Sequence, residues 1–134
     1  MIKEHRELLI RDISARLPYK VKAQIPDKHG GYTSVIENMD INGYISDSEG
    51  NIFEVESVKP YLLPLSGMTE EQKEEYTFII DYISPDDSDN LAEGEFIYVD
   101  LISELIYFYH RHHLDYRGLI PKGLALDATG LNIY

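Results

Sequence analysis

An α+β fold is what this sequence predicts, and three observations predict it. Apolar residues recur at helical spacing near the amino terminus and again in two later stretches, the period changes to two between them, and tight-turn residues punctuate that middle region. The expected architecture is an N-terminal helix, a small antiparallel sheet or partly open barrel over about 19–58, two further helices over about 70–83 and 95–113, and a short extended C-terminal segment. At 134 residues the chain is long enough to enclose a core, and one domain, 1–134, is expected.

Wound as a helix, residues 2–17 gather Ile2, Leu9, Ile10, Ile13 and Leu17 within about a 100° arc. Pro18 ends this helix, because proline cannot continue the hydrogen-bond ladder and pushes Leu17 out of the α region. Tyr19, Val21, Ala23 and Ile25 then alternate with Lys20, Lys22 and Gln24, as in a half-buried strand. Thr33 to Ile41 reads as extended, Asn42-Gly43 is a type I′ hairpin signal, Tyr44 to Ser46 resumes the strand, and a turn at 47–51 leads into Ile52 to Val58. Lys59 to Pro64 carries two prolines, each without a ladder donor, so an edge or a crossing segment is expected there.

Thr69-Glu70-Glu71-Gln72 is a capping box for a helix over 70–83, with Tyr76, Ile79, Ile80 and Ile83 as its buried stripe and Ser84-Pro85 as its stop. The third helix sorts cleanly. Asp100, Ser103, Glu104, Tyr107, His110 and Arg111 fall on one side, and Tyr98, Leu101, Ile102, Leu105, Phe108 and Tyr109 on the other. Glycines and a proline then punctuate Leu124-Ala125-Leu126 and Leu131-Asn132-Ile133, short extended snippets able to add an edge strand.

Composition removes several function classes. Apolar residues make up 43% and charged residues 27%, and no apolar run approaches the roughly 20 residues that span a bilayer, so no membrane association is expected. The net charge is -12, with no basic stripe to neutralise phosphates, so no direct nucleic-acid contact is expected either. Seven of the 12 basic residues (Lys3, Arg6, Arg11, Arg16, Lys20, Lys22 and Lys28) fall in the first 28 positions, which leaves the rest more acidic than the average. Cysteine is absent, which excludes thiolate catalysis and disulfides, and Met1 to Glu7 is followed by no apolar export segment; a cytoplasmic setting is expected.

The most chemical-looking cluster is His110, His112, His113 and Asp115, since imidazoles and a carboxylate suit zinc or iron. On a helix His110 and His113 lie about 60° apart and could chelate, with Asp115 beside them, whereas His112 points about 160° away. The same residues occupy a helix C-terminus, where histidines cap carbonyls and suit the dipole, and that packing role is the favoured reading. The acidic loop Asp86-Asp87-Ser88-Asp89-Asn90 fails the EF-hand pattern, because that register puts Ala92 where glycine is needed and Tyr98 where glutamate is needed. Gly118 to Gly123 lacks the Lys-Ser/Thr order of a phosphate loop, and Ser66 lies in no nucleophile elbow. No catalytic set, cofactor site or enzyme activity is expected from these patterns.

Eleven tyrosines are more than one small core needs, and tyrosine suits interfaces because a flat apolar ring carries a wet hydroxyl. A protein partner is therefore expected. The wide apolar arc of the third helix also suggests a homodimer, with Tyr98, Ile102 and Tyr109 near its seam. A compact chain of this charge raises nucleic-acid mimicry as a further alternative.

Two stretches, Lys59-Pro60-Tyr61-Leu62-Leu63-Pro64-Leu65-Ser66-Gly67-Met68-Thr69-Glu70-Glu71 and His112-His113-Leu114-Asp115-Tyr116-Arg117-Gly118-Leu119-Ile120-Pro121-Lys122-Gly123-Leu124-Ala125, resemble a group of small uncharacterised proteins of Bacteroides-type bacteria and their phages and mobile elements. The group usually has arginine where this chain has Leu63 and serine where it has Gly67. The resemblance implies a phage or mobile-element origin and a cytoplasmic setting, and it implies no catalytic residues. Both stretches are turn-rich and are expected to pack together, with Arg117 pairing at the start of the second helix as a fold staple. The leading functional expectation is thus a non-enzymatic, phage- or mobile-element-associated protein-interaction module. The alternative is a metal-dependent hydrolase or metal-binding protein using His110 and His113.

Overall fold

Helix α1, Lys3–Arg16, ends where Leu17-Pro18-Tyr19 tightens into a 3-10 turn, and Lys20 takes a left-handed conformation (φ 57°) to turn the chain into the sheet. The computed structural model describes residues 1–83 and 102–134. The stop at Ser84-Pro85, the acidic loop at 86–93, the first turns of the helix expected from 95, and Tyr98 lie outside the described residues.

Six strands follow: β1 (Lys22–Ile25), β2 (Tyr32–Met39), β3 (Tyr44–Asp47), β4 (Ile52–Glu54), β5 (Lys59–Leu62) and β6 (Leu126–Asp127). They form one open sheet in the order β4-β3-β2-β1-β5-β6, antiparallel except for the parallel β5–β6 pair. Val21, Ala23 and Ile25 are all fully buried while Lys22 and Gln24 face outward, as period-two patterning requires. The expected edge strand at the carboxyl end forms at Leu126–Asp127, and no strand forms over 131–133.

One aspartate organises each of the three hairpin turns. Asp27 Oδ1 accepts from the amides of His29 and Gly31, Asp40 Oδ1 from Asn42 and Tyr44, and Asp47 Oδ1 from Glu49 and Asn51. This corrects the type I′ expectation at Asn42-Gly43. Gly43 has φ 82°, but Asn42 keeps a negative φ, and the turn closes through Gly43 N–H to the Asp40 carbonyl. The Asp40 carboxylate fixes the turn from its first residue, so one left-handed position suffices instead of two.

A second correction concerns β5, which lies between β1 and β6 and is not an edge. Pro60 is tolerated because β1 and β5 share only two registered pairs, Ala23 with Pro60 and Gln24 with Lys59. Strand β4 is also shorter than expected: Val55 is fully buried and the chain coils into a 3-10 turn at Val55–Ser57, where Ser57 Oγ donates to the Glu54 carbonyl.

Helix α2 spans Glu70–Ile83, and its capping box is formed reciprocally: Gln72 N–H donates to Thr69 Oγ1 (3.1 Å) and Thr69 N–H to Gln72 Oε1 (2.9 Å). Helix α3 covers 102–111 within the described residues. One apolar cluster packs Leu9 and Ile13 of α1 on Val21, Ala23, Ile25, Ile36, Ile45 and Leu62 of the sheet side; a second joins Ile79 of α2 to Phe108 of α3 and Leu114. The two signature stretches do pack together, because Leu63 N–H donates to the His113 carbonyl and Asp115 N–H to the Leu63 carbonyl, both at 2.8 Å. No helix among the described residues is long and apolar enough to cross a membrane.

Candidate functional site

The ionisable residues converge where the end of α1 meets the end of α3. Asp12 and Arg16, one turn apart on α1, are both fully buried, and Arg16 Nε lies 2.9 Å from Asp12 Oδ2. Arg16 Nη2 also donates to the Leu114 carbonyl at 2.6 Å, which ties the first helix to the segment leaving the third. Arg117 Nε is 3.3 Å from Asp12 Oδ1, so one carboxylate serves two guanidiniums. This corrects the expected partner of Arg117: it staples the first helix, not the second. Burial pushes the Asp12 carboxyl above the usual carboxylate range, and Arg16 and then Arg117 pull against that rise.

Tyr116 sits among these cations. Its hydroxyl accepts from Arg117 Nε (3.2 Å) and Nη2 (2.9 Å), while Arg16 and Arg117 lie over its ring at 5.5 and 5.1 Å. The remaining hydroxyl proton goes to His110 Nε2, 2.8 Å away, which assigns His110 the Nδ1–H tautomer. His110 is buried (5% exposed), a correction to its placement on the polar side of the helix. Burial, then Arg16 and Arg117, push its pKa down to about 4, so the imidazole is neutral at physiological pH.

His113 terminates α3. It has φ 57°, its N–H donates to the His110 carbonyl, and Leu114 N–H donates to the Tyr109 carbonyl, the paired bonds of a Schellman stop with histidine where glycine is usual. Its ring stacks on Tyr134 with centroids 3.5 Å apart, and burial, followed by Arg16, lowers its pKa to about 4. His112 belongs to a different contact: Gln72 Nε2 donates to its Nδ1 (3.2 Å), its Nε2 meets Glu75 Oε2 (3.1 Å), and its ring meets Phe108 edge-on at 4.9 Å. Arg111 pairs with the same Glu75, so these two residues clamp α3 to α2.

The residues proposed for metal, His110, His113 and Asp115, are thus each engaged separately. Asp115 receives the amides of Leu119 (2.8 Å) and Ile120 (2.9 Å), and among the described residues no group of three His, Asp or Glu side chains is placed to hold a metal ion. Of the residues assigned to a dimer seam, Ile102 is half-buried and Tyr109 stacks on Tyr116 at 4.8 Å. Burial raises the Tyr109 pKa to about 12, while Tyr107 is 51% exposed.

Sequence reasoning missed Asp12 and Arg16. Their spacing of four was the available signal, but such pairs usually lie on the solvent face of a helix, and nothing local distinguishes a buried one. Comparison with protein-family models, with curated proteins and with solved structures finds no match to this chain.

Proposed function

We propose that the chain is a non-enzymatic protein-interaction module that serves a phage or mobile element in the cytoplasm. One observation carries the interaction reading. Strand β4 is an outer strand of the sheet, and on the face it shares with β3 it leaves Ile52 70% and Tyr44 45% exposed, two residues diagonal to each other across the β3–β4 register. Ile41, at the tip of the adjoining hairpin, is 99% exposed. Among the described residues no strand pairs with the outer edge of β4, and such an edge flanked by exposed apolar side chains is a template for a further strand. The phage and cytoplasmic setting rests on the resemblance of the Lys59–Glu71 and His112–Ala125 stretches alone.

The favoured role for the histidines is structural. Each side chain at the end of α3 has its own packing or hydrogen-bonding partner, a pattern that supports fold stapling over metal-dependent hydrolysis. The interaction reading is tested by capture from the native host at several salt concentrations, with wild-type protein and Tyr44→Lys/Ile52→Lys. A stoichiometric partner retained at high salt and lost in the double variant supports it; no specific partner, or one indifferent to both substitutions, overturns it.

A further inference from the structure

The bonds at the two ends of strand β4 fix which of its backbone groups look outward. Asp47 N–H donates to the Asn51 carbonyl and Val55 N–H to the Gly43 carbonyl, and both pairs continue the register that sets Tyr44 opposite Glu54, Ile45 opposite Phe53 and Ser46 opposite Ile52. Bonded and unbonded positions alternate along an antiparallel pair. Phe53 is therefore the β4 residue bonded to β3, and the N–H and C=O groups of Ile52 and Glu54 point the other way, toward the outer edge of the sheet. The Glu54 carbonyl accepts from Ser57 Oγ at 2.7 Å, whereas the Ile52 N–H, the Ile52 carbonyl and the Glu54 N–H meet no partner among the described residues.

The side chains of this edge are sorted by face. Ile52 and Glu54 are both exposed and stand two positions apart on the outer face, while Phe53 turns inward and packs, half-buried, on the apolar cluster that holds Leu9 and Ile13. Glu56, just beyond the strand, is paired with Arg6, but among the described residues no cation pairs with Glu54. A second copy of the chain paired two-fold about Phe53 would set Glu54 diagonal to its own counterpart, a like-charge contact between chains of net charge -12. The charge at this edge thus disfavours a second copy and favours a segment of opposite sign.

We propose that the β4 edge docks an extended segment of a partner protein, added antiparallel to β4, with a lysine or arginine opposite Glu54 and an apolar residue opposite Ile52. The order follows from the register. A partner residue that exchanges both backbone bonds with Ile52 places its side chain beside Ile52 on the outer face. The residue before it opposes Phe53 on the inner face, and the one before that opposes Glu54 and offers its carbonyl to the Glu54 N–H. Along the partner the pattern is therefore basic, apolar, apolar. Antiparallel addition matches the pairing of β4 with β3 and is the more stable arrangement per residue. That the edge serves a partner rests on the interaction reading above; the charge and order of the partner's residues come from the register and from Glu54.

The test titrates the full chain with a blocked hexapeptide, threonine-lysine-valine-valine-threonine-threonine, followed through the amide resonances of Ile52 and Glu54. Both amides are expected to shift, and the same peptide with glutamate in place of lysine is expected to bind about fivefold more weakly. N-methylation of the second valine removes the donor to the Ile52 carbonyl and is expected to abolish the shifts. In Glu54→Lys, an exposed substitution, the preference between the lysine and glutamate peptides should reverse. No shift at either amide, equal binding of the two peptides, indifference to N-methylation, or an unreversed preference in Glu54→Lys overturns the proposal. So does an Ile52 amide shift that grows with protein concentration alone, which would give the edge to a second copy. The two readings fail separately. A host partner lost in Tyr44→Lys/Ile52→Lys but indifferent to Glu54→Lys keeps the interaction reading and removes the basic segment, while the expected peptide results without any captured host partner remove the interaction reading and leave the edge with its preference.

Discussion

Arg16 donates to the carbonyl of Leu114, 98 residues further along the chain, through a 2.6 Å hydrogen bond made entirely inside the protein. This bond, with the Asp12 pair behind it, joins the first helix to the segment that leaves the third. A buried charge is tolerated only when paired and hydrogen-bonded, and Arg16 finds those partners through Nε and Nη2, on Asp12 and on the Leu114 carbonyl, while its Nη1 has none among the described residues.

Removing that guanidinium alone leaves the Asp12 carboxylate buried with only Arg117 as a cationic partner. Arg16→Met is expected to cost about 3–5 kcal/mol in urea unfolding, whereas the double change Asp12→Leu/Arg16→Met recovers part of the loss because it removes the stranded carboxylate and leaves Arg117, 20% exposed, on the Tyr116 hydroxyl. A double variant no more stable than the single one would show that the ion pair itself, not the unpaired charge, sets the cost.

Acid should loosen the same joint. The folded pKa of His110 is depressed to about 4 from an ordinary 6.5, so the unfolded chain binds more protons between those values and stability falls as pH is lowered through that window. Protonated at Nε2, His110 would lose the Tyr116 proton it accepts and add a third cation beside Arg16 and Arg117. His112 and His113 are shifted the same way. Urea unfolding at pH 7 and at pH 4.5 should differ by about 2 kcal/mol from His110 alone, and His110→Gln should flatten the dependence.

Two of the three Asp-led hairpins, those of Asp40 and Asp47, should differ in their need for glycine. A methyl group at Gly43 would come within 2.6 Å of Arg6 Nη2 and 3.1 Å of Ile10 Cδ1, while one at Gly50 meets nothing within 4 Å. Both have a left-handed φ, 82° and 84°. Gly50→Ala is therefore expected to cost about 1 kcal/mol from backbone strain, and Gly43→Ala about 2 kcal/mol because Arg6 must also give up its bond to the Asn42 carbonyl. Thermal melts of the two variants side by side check the order.

Asp115 should behave as a structural acceptor. Asp115→Ala strips the partners from the Leu119 and Ile120 amides in a largely buried turn and is expected to cost about 2–4 kcal/mol, with Asp115→Asn intermediate because one acceptor oxygen remains. Calorimetry of wild-type protein with and without added zinc tests the metal alternative in the same preparation: a melting temperature unmoved by zinc agrees with the structural role, and a zinc-dependent rise lost in Asp115→Ala contradicts it.

Legibility in the sequence followed the range of the interaction. The capping box at Thr69 and Gln72 and the alternation through Val21, Ala23 and Ile25 depend on residues within a few positions of one another, and each forms as its pattern implies. Helix α1 does end at Pro18, but Leu17 keeps an α conformation (φ -52°, ψ -44°) and the chain tightens into a 3-10 turn instead of leaving the helical region at Leu17. The hairpin at Asn42-Gly43 was only half legible. Its place was correct, but the turn type depended on which backbone amides the Asp40 carboxylate would capture.

By itself, then, the sequence determined the α+β class, the order of the elements and the places of most turns, because periodicity, proline and glycine act through local backbone geometry. Only the tertiary structure decided that Asp12 and Arg16 are buried, that Arg117 turns to the first helix, that β5 is an inner strand, and that Tyr134 bridges Lys22 to Tyr61. Those outcomes depend on which desolvated donors and acceptors meet after the chain has closed on itself. Contacts between residues as far apart as 22 and 134 leave no periodic trace along the chain.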